Sequence, residues 1–154
     1  AGTGDSGLGA SMTTPLHLRL LLPKVPDLSK VGGNARPGHH QQAARWTSEE
    51  RQEWIGLIRA QLVPPYPHFY RAKATVALWY PQHRDRDMQD NVPRALKPLW
   101  DVLKPERWVG LVNQGGYFGI IFDDNEAHLK VESITVKVDK AKAPLTELRM
   151  EVLS

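Results

Sequence analysis

RAKATVALWYPQHRDRDMQDNVPRALKPLWDVL, residues 71–103, decides how the chain folds. Its first ten residues alternate, with Ala74, Val76, Leu78 and Tyr80 on one face, the period-two pattern of a half-buried strand. The period then changes. Val92, Leu96, Leu99 and Leu103 recur at spacings of four, three and four, which predicts a helix over 91–104. Asp90 or Asn91 is its expected N-cap, Pro93 fits the first turn, and Pro98, having no N–H to donate, should kink it. Between strand and helix lies an acidic run holding Asp85, Asp87 and Asp90.

Working outward, Leu16, Leu18, Leu20 and Leu22 alternate through PLHLRLLL (15–22), a first strand ended by Pro23. Residues 24–46 read as a long polar loop carrying Lys24, Lys30, Asn34, Arg36, His39, His40 and Arg45. Thr47-Ser-Glu-Glu50 has the form of a capping box and predicts a helix starting there, with Trp54, Ile55, Ile58 and Leu62 as its apolar stripe. A Gly-rich connection over 105–116 leads to an expected strand, YFGIIF (117–122), and then to Asp123-Asp124. Two further strands are predicted near 128–138 and 145–153. The order β-loop-α-β-α-β-β-β describes a single α+β domain, a mixed sheet backed by two helices. Residues 1–11, AGTGDSGLGAS, read as a cloning remnant ahead of Met12, which leaves 12–154 as the domain.

Composition narrows the chemistry. With 154 residues the chain is long enough for one core, and no apolar run approaches the roughly 18 residues of a membrane helix. It has no cysteine, so a metal would be held by oxygen or imidazole, and aspartates favour Mg²⁺ or Mn²⁺. Charge is unevenly spread. Residues 1–84 hold ten Lys/Arg against five Asp/Glu, a balance of +5; residues 85–126 hold five against eight, or −3; residues 127–154 hold five against four, or +1. A basic chain with an acidic centre suits a metal-dependent nuclease, although chance asymmetry gives the same pattern.

On the predicted helix, Asp90, Arg94, Lys97 and Asp101 fall within about 40° of one another, opposite the leucine stripe. Helical side chains lean toward the N-terminus, so Lys97 leans back toward the acidic run. A solvated helix face shows the same charges. That account leaves unexplained why Asp85, Asp87 and Asp90 crowd together while Asp123-Asp124 end another element.

RDMQDN (86–91), LKPLWDVL (96–103) and GIIFDD (119–124), in this order after a polar N-terminal loop, resemble the RusA family of Holliday junction resolvases. About forty residues match closely, and the expected element order extends the likeness over most of 15–153. The resemblance implies an α+β endonuclease that cuts four-way DNA junctions as a homodimer, in the cytoplasm of a phage or prophage host, without an organic cofactor or a membrane. It implies Asp87, Asp90 and Asp124 as ligands of Mg²⁺ (Mn²⁺ as substitute), with Asp123 a further candidate, and Lys97 as the catalytic lysine. The family pattern is Asp-x-Asp-Asn, whereas this chain has Asp87-Met-Gln-Asp90-Asn91, which leaves Asp85 or Asp87 as the first ligand. Lys30, Asn34, Arg36, Arg45 and Arg94 are the candidate DNA contacts, since a phosphate needs only reachable positive charge or a donor. Two other readings stay open: a junction-binding protein of the same fold with weakened catalysis, and a less selective flap or single-strand nuclease.

Overall fold

The computed structural model describes residues 16–28, 40–82 and 88–153, with only the backbone described for 40–46 and 88–90. The two alternating leucine-rich and alanine-valine stretches are strands, β1 (His17–Leu22) and β2 (Ala72–Tyr80). Their even-numbered side chains are buried, from Leu18, Leu20 and Leu22 to Ala74, Val76, Leu78 and Tyr80. Helix α1 (His40–Arg59) lies between them. After β2 come α2 (Met88–Ala95) and α3 (Lys97–Leu103), a short hairpin of β3 (Trp108–Val109) and β4 (Val112–Asn113), then β5 (Leu129–Val138) and β6 (Leu145–Val152). The main sheet runs β1-β6-β2-β5. Strand β6 pairs antiparallel with both β1 and β2, while β5 runs parallel to β2. The result is a mixed α+β domain.

The parallel β2–β5 pair governs where the helices go. Parallel neighbours cannot be joined by a tight turn, so the chain must travel back along the sheet before starting β5. Residues 88–103 make that journey as α2 and α3, burying Val92, Leu96, Leu99, Val102 and Leu103 against the sheet's apolar face. Trp54 and Ile58 of α1 are fully buried in the same core. The opposite sheet face is polar and self-paired. Arg19 and Arg149 both hold Glu147, and Lys73 holds Glu151 and Glu132. Trp79, half-buried there, lies under the ammonium groups of Lys137 and Lys142 at 5.1 and 4.4 Å.

Several boundaries differ from the sequence expectation. Helix α1 starts at His40, so 40–46 is helix rather than loop, and Thr47-Ser-Glu-Glu50 lies inside α1 instead of capping it. Gln41, Gln42, Ala43, Ala44 and Arg45 are strong helix formers, so the helix continues ahead of the local start signal. The predicted 91–104 helix begins earlier, at Met88, and is two helices meeting at Leu96. Pro98 explains the break, because it cannot donate to Arg94. Leu96 nonetheless keeps helical angles, and both Leu96 N–H to Val92 O (3.0 Å) and Trp100 N–H to Leu96 O (3.1 Å) are made, so the path bends rather than turns away.

YFGIIF (117–122) is not a strand; Ile121 forms an isolated bridge with Phe69, outside the strands, while Phe118, Ile120 and Ile121 pack into the core. Five of its six N–H groups, those of 117–121, are spent on carbonyls at the C-terminal end of α3 and its cap residue Lys104. Tyr117 and Phe118 donate to Val102, Ile120 and Ile121 to Leu103, and Gly119 to Lys104. Those carbonyls have no partner inside the helix, so this segment is a C-terminal cap. Gly119 takes φ +66°, and a Cβ on Gly116 would lie 2.2 Å from the Lys104 carbonyl oxygen and 2.4 Å from that of Asp101. Gly116→Ala must therefore push the cap off α3. The expected loss is about 1–3 kcal/mol, read as a lower denaturant midpoint at unchanged slope.

Candidate active site

The cap brings Asp123-Asp124 to the flank of α3. Lys97, first residue of α3, donates from Nζ to Asp124 Oδ2, joining motifs 27 residues apart. Lys97 also pairs with Asp101 at 3.1 Å, one turn along its own helix. Lys104 meets Asp101 at 3.2 Å and Asp124 at 3.7 Å. Two carboxylates and two ammonium groups thus form one connected cluster. The leucine stripe of α3 faces the core, which turns this charged row outward against the cap.

Burial alone would raise the Asp124 carboxyl, but the Lys97 hydrogen bond and the charges of Lys104 and Lys97 carry it below the ordinary 3.8. For Lys97, burial works against the charged form, and the hydrogen bonds to Asp124 and Asp101 outweigh it, leaving its ammonium above the ordinary 10.5. The signs fix a pH window. The Asp124 contribution to folding is complete above its unfolded pKa and is lost as pH falls through the lower folded value. The Lys97 contribution is complete below its unfolded pKa and is lost as pH rises through the higher folded value. Asp124→Asn should therefore flatten the acid limb of the stability–pH curve below about pH 4, and Lys97→Met the alkaline limb above about pH 10. Urea unfolding across that range checks both.

Asp123 is differently employed. Its Oδ1 accepts the Asp124 N–H at 2.7 Å and its Oδ2 accepts Asn125 Nδ2 at 3.1 Å, closing the turn that presents Asp124. Asp85 and Asp87 lie outside the described residues, as do Lys30, Asn34 and Arg36. Asp90 is in α2 and Arg45 in α1, each known by backbone only. Arg94 stands exposed at the end of α2. Among the described residues no three His, Asp or Glu side chains form a metal-holding group, and no described helix is long and apolar enough to cross a membrane.

Sequence reasoning missed Lys104, although its signal was present: it follows Lys97 by seven residues and Asp101 by three, the same helical row. It also missed Tyr70, Phe122 and His128, whose rings gather only because the Phe69–Ile121 bridge joins two distant segments.

The chain matches no protein-family profile, and no curated protein matches it either.

Proposed function

We propose that this chain is a dication-dependent endodeoxyribonuclease that resolves four-way DNA junctions by paired phosphodiester hydrolysis, working as a homodimer. The observation that carries this reading is the Lys97–Asp124 contact. Two parts of the RusA-like pattern, separate in sequence, meet at one surface point through a cap that owes nothing to charge. The surrounding donor set is carboxylate oxygen, which fits Mg²⁺ or Mn²⁺. Asp124 would hold the ion together with Asp90 and Asp87, and when bound the ion would supply Lewis-acid polarisation of the scissile phosphate.

The chain's own groups have distinct tasks in this reading. Lys97, about half exposed, pairs with Asp124 in the free protein and turns to the phosphate when DNA is bound. Lys104, held by Asp101, sets the position of Asp124 and balances its charge. Asp123 fixes the turn. Lys30, Asn34, Arg36, Arg45 and Arg94 would hold the DNA backbone, which needs charge and reach rather than exact geometry. Two-fold symmetry of a dimer would mirror that of a junction. A host cytoplasm is the setting that such a substrate implies.

Incubation of a fixed and a mobile four-way junction with the protein, in Mg²⁺ and then in EDTA, tests the reading. Paired symmetric nicks in Mg²⁺ alone are expected. Junction binding without product at any dication concentration would support the catalytically weakened alternative, and equal cutting of flaps or linear duplex the less selective one.

A further inference from the structure

Phe122, two residues before Asp124 in the chain, packs with Tyr70 and His128, and none of the three rings is buried. The rings of Tyr70 and Phe122 are 5.0 Å apart, those of Tyr70 and His128 4.8 Å, and those of Phe122 and His128 4.5 Å. Tyr70 is nonetheless 65% exposed and Phe122 54%. Rings that cluster only to hide apolar surface end up covered; here two keep more than half their area in water.

The cluster is held at its roots. Phe122 N–H donates to Phe69 O at 3.2 Å and Phe69 N–H to Ile120 O at 2.7 Å, while Phe69 and Ile121 are buried beneath. A ring nitrogen of His128, Nδ1, is 2.9 Å from the Tyr70 carbonyl oxygen. The rings are thus positioned before any ligand arrives, which lowers the ordering cost of binding. Phe122 stands two residues before Asp124, and exposed Arg71 and Lys130 follow Tyr70 and His128 closely in the chain. Exposed rings with cations beside them are the elements of a site for unpaired bases, because every base offers a π-face and every nucleotide a phosphate.

We propose that Tyr70, Phe122 and His128 form a stacking platform for an unpaired nucleobase of branched DNA, at the rim of the Lys97–Asp124 cluster. The proposal rests on the nuclease reading and adds the source of its preference for branched over linear duplex. Its occupant is a base rather than a second protein chain, since Phe122 stands two residues before Asp124 and exposed Arg71 and Lys130 lie one and two residues from Tyr70 and His128 in the chain.

The test uses the full chain in EDTA, so that binding is read without cutting. Anisotropy gives Kd for a four-way junction, for the same junction with one abasic site at each branch-point position in turn, and for linear duplex. The Tyr70→Leu/Phe122→Leu variant keeps apolar bulk and removes both rings; Tyr70→Phe keeps the platform. An abasic site at one branch position should weaken wild-type binding about 5- to 150-fold, leave the Leu variant unchanged, and weaken Tyr70→Phe as it does wild type. Junction binding equal in wild type and Leu variant, with matching thermal melts, overturns the platform and leaves the nuclease reading intact. A Leu variant that binds the junction normally but has lost self-association overturns it in favour of a protein interface. Absence of any DNA binding by the wild type overturns the nuclease reading, and the platform falls with it.

Discussion

Lys97→Ala is expected to lose about 10²- to 10³-fold in junction cleavage while binding the junction with a Kd close to that of the wild type. The reasoning starts from position. Lys97 is the first residue of α3, its ammonium group reaches Asp124 on one side and Asp101 on the other, and it is the more exposed of the cluster's two lysines. A half-exposed ammonium group next to carboxylates suits a group that must trade partners when a phosphate arrives. Asp124→Asn should be at least as damaging to cleavage, because it removes the charge that Lys97 pairs with and that the proposed dication would need. Arg94→Ala serves as the contrast. Exposed on the preceding helix, it should change affinity and salt dependence more than the cleavage rate. Single-turnover rates at saturating protein separate these outcomes. A Lys97→Ala variant that retains the wild-type rate, beside an inactive Arg94→Ala, would move the proposed catalytic role to Arg94.

Trp54→Ala should cost about 3–5 kcal/mol of folding stability, the largest loss expected from a single core substitution here. Trp54 is fully buried on α1, and the ammonium of Lys24 lies 5.3 Å from its ring. Lys24 is itself held by the carboxylate of Glu50, a helical turn before Trp54, and both are largely buried. Removing the indole opens a cavity and takes away part of what lines the buried Lys24–Glu50 pair, so the transfer and packing losses fall together. Guanidinium unfolding monitored by far-UV circular dichroism gives the value. A midpoint within a few tenths molar of the wild type would mean that α1 is not held by this contact.

The parts of the fold that could be read from sequence are those where burial repeats with a fixed period. Leu18, Leu20 and Leu22, or Ala74, Val76, Leu78 and Tyr80, signal a strand because one face of each is committed to the core. Val92, Leu96, Leu99 and Leu103 do the same for a helix, and Pro98 marks its break in advance. The errors lie where the deciding partner is distant. Thr47-Ser-Glu-Glu50 has the chemistry of a helix start, yet the helix already runs through it. Residues 117–122 have the apolar, β-branched look of a strand, but their hydrogen bonds are taken by the open end of α3. A pattern of side chains cannot show which backbone will claim a segment's N–H groups.

For the site, the charged row on α3 was legible because a helix has a known period, and Asp124 because GIIFDD follows the acidic run and the lysine helix in the order of the RusA-like pattern. Their contact was not, since it depends on Gly116 and Gly119 letting the cap close against the helix end. The same closure carries Phe122 to Tyr70. Lys104 entered the cluster for a simpler reason: with Asp101 between it and Lys97, two cations share one carboxylate along a single face.

The central claim is that the Lys97–Asp124 contact marks the reacting centre. Anomalous scattering from Mn²⁺, in crystals of the protein with an uncleaved four-way junction, addresses it directly. The account predicts a peak at about 2.0–2.2 Å from an Asp124 carboxylate oxygen, with Lys97 released from Asp124 and turned to the scissile phosphate. A peak remote from Asp124, or a Lys97 still paired with it while the phosphate lies elsewhere, would contradict it.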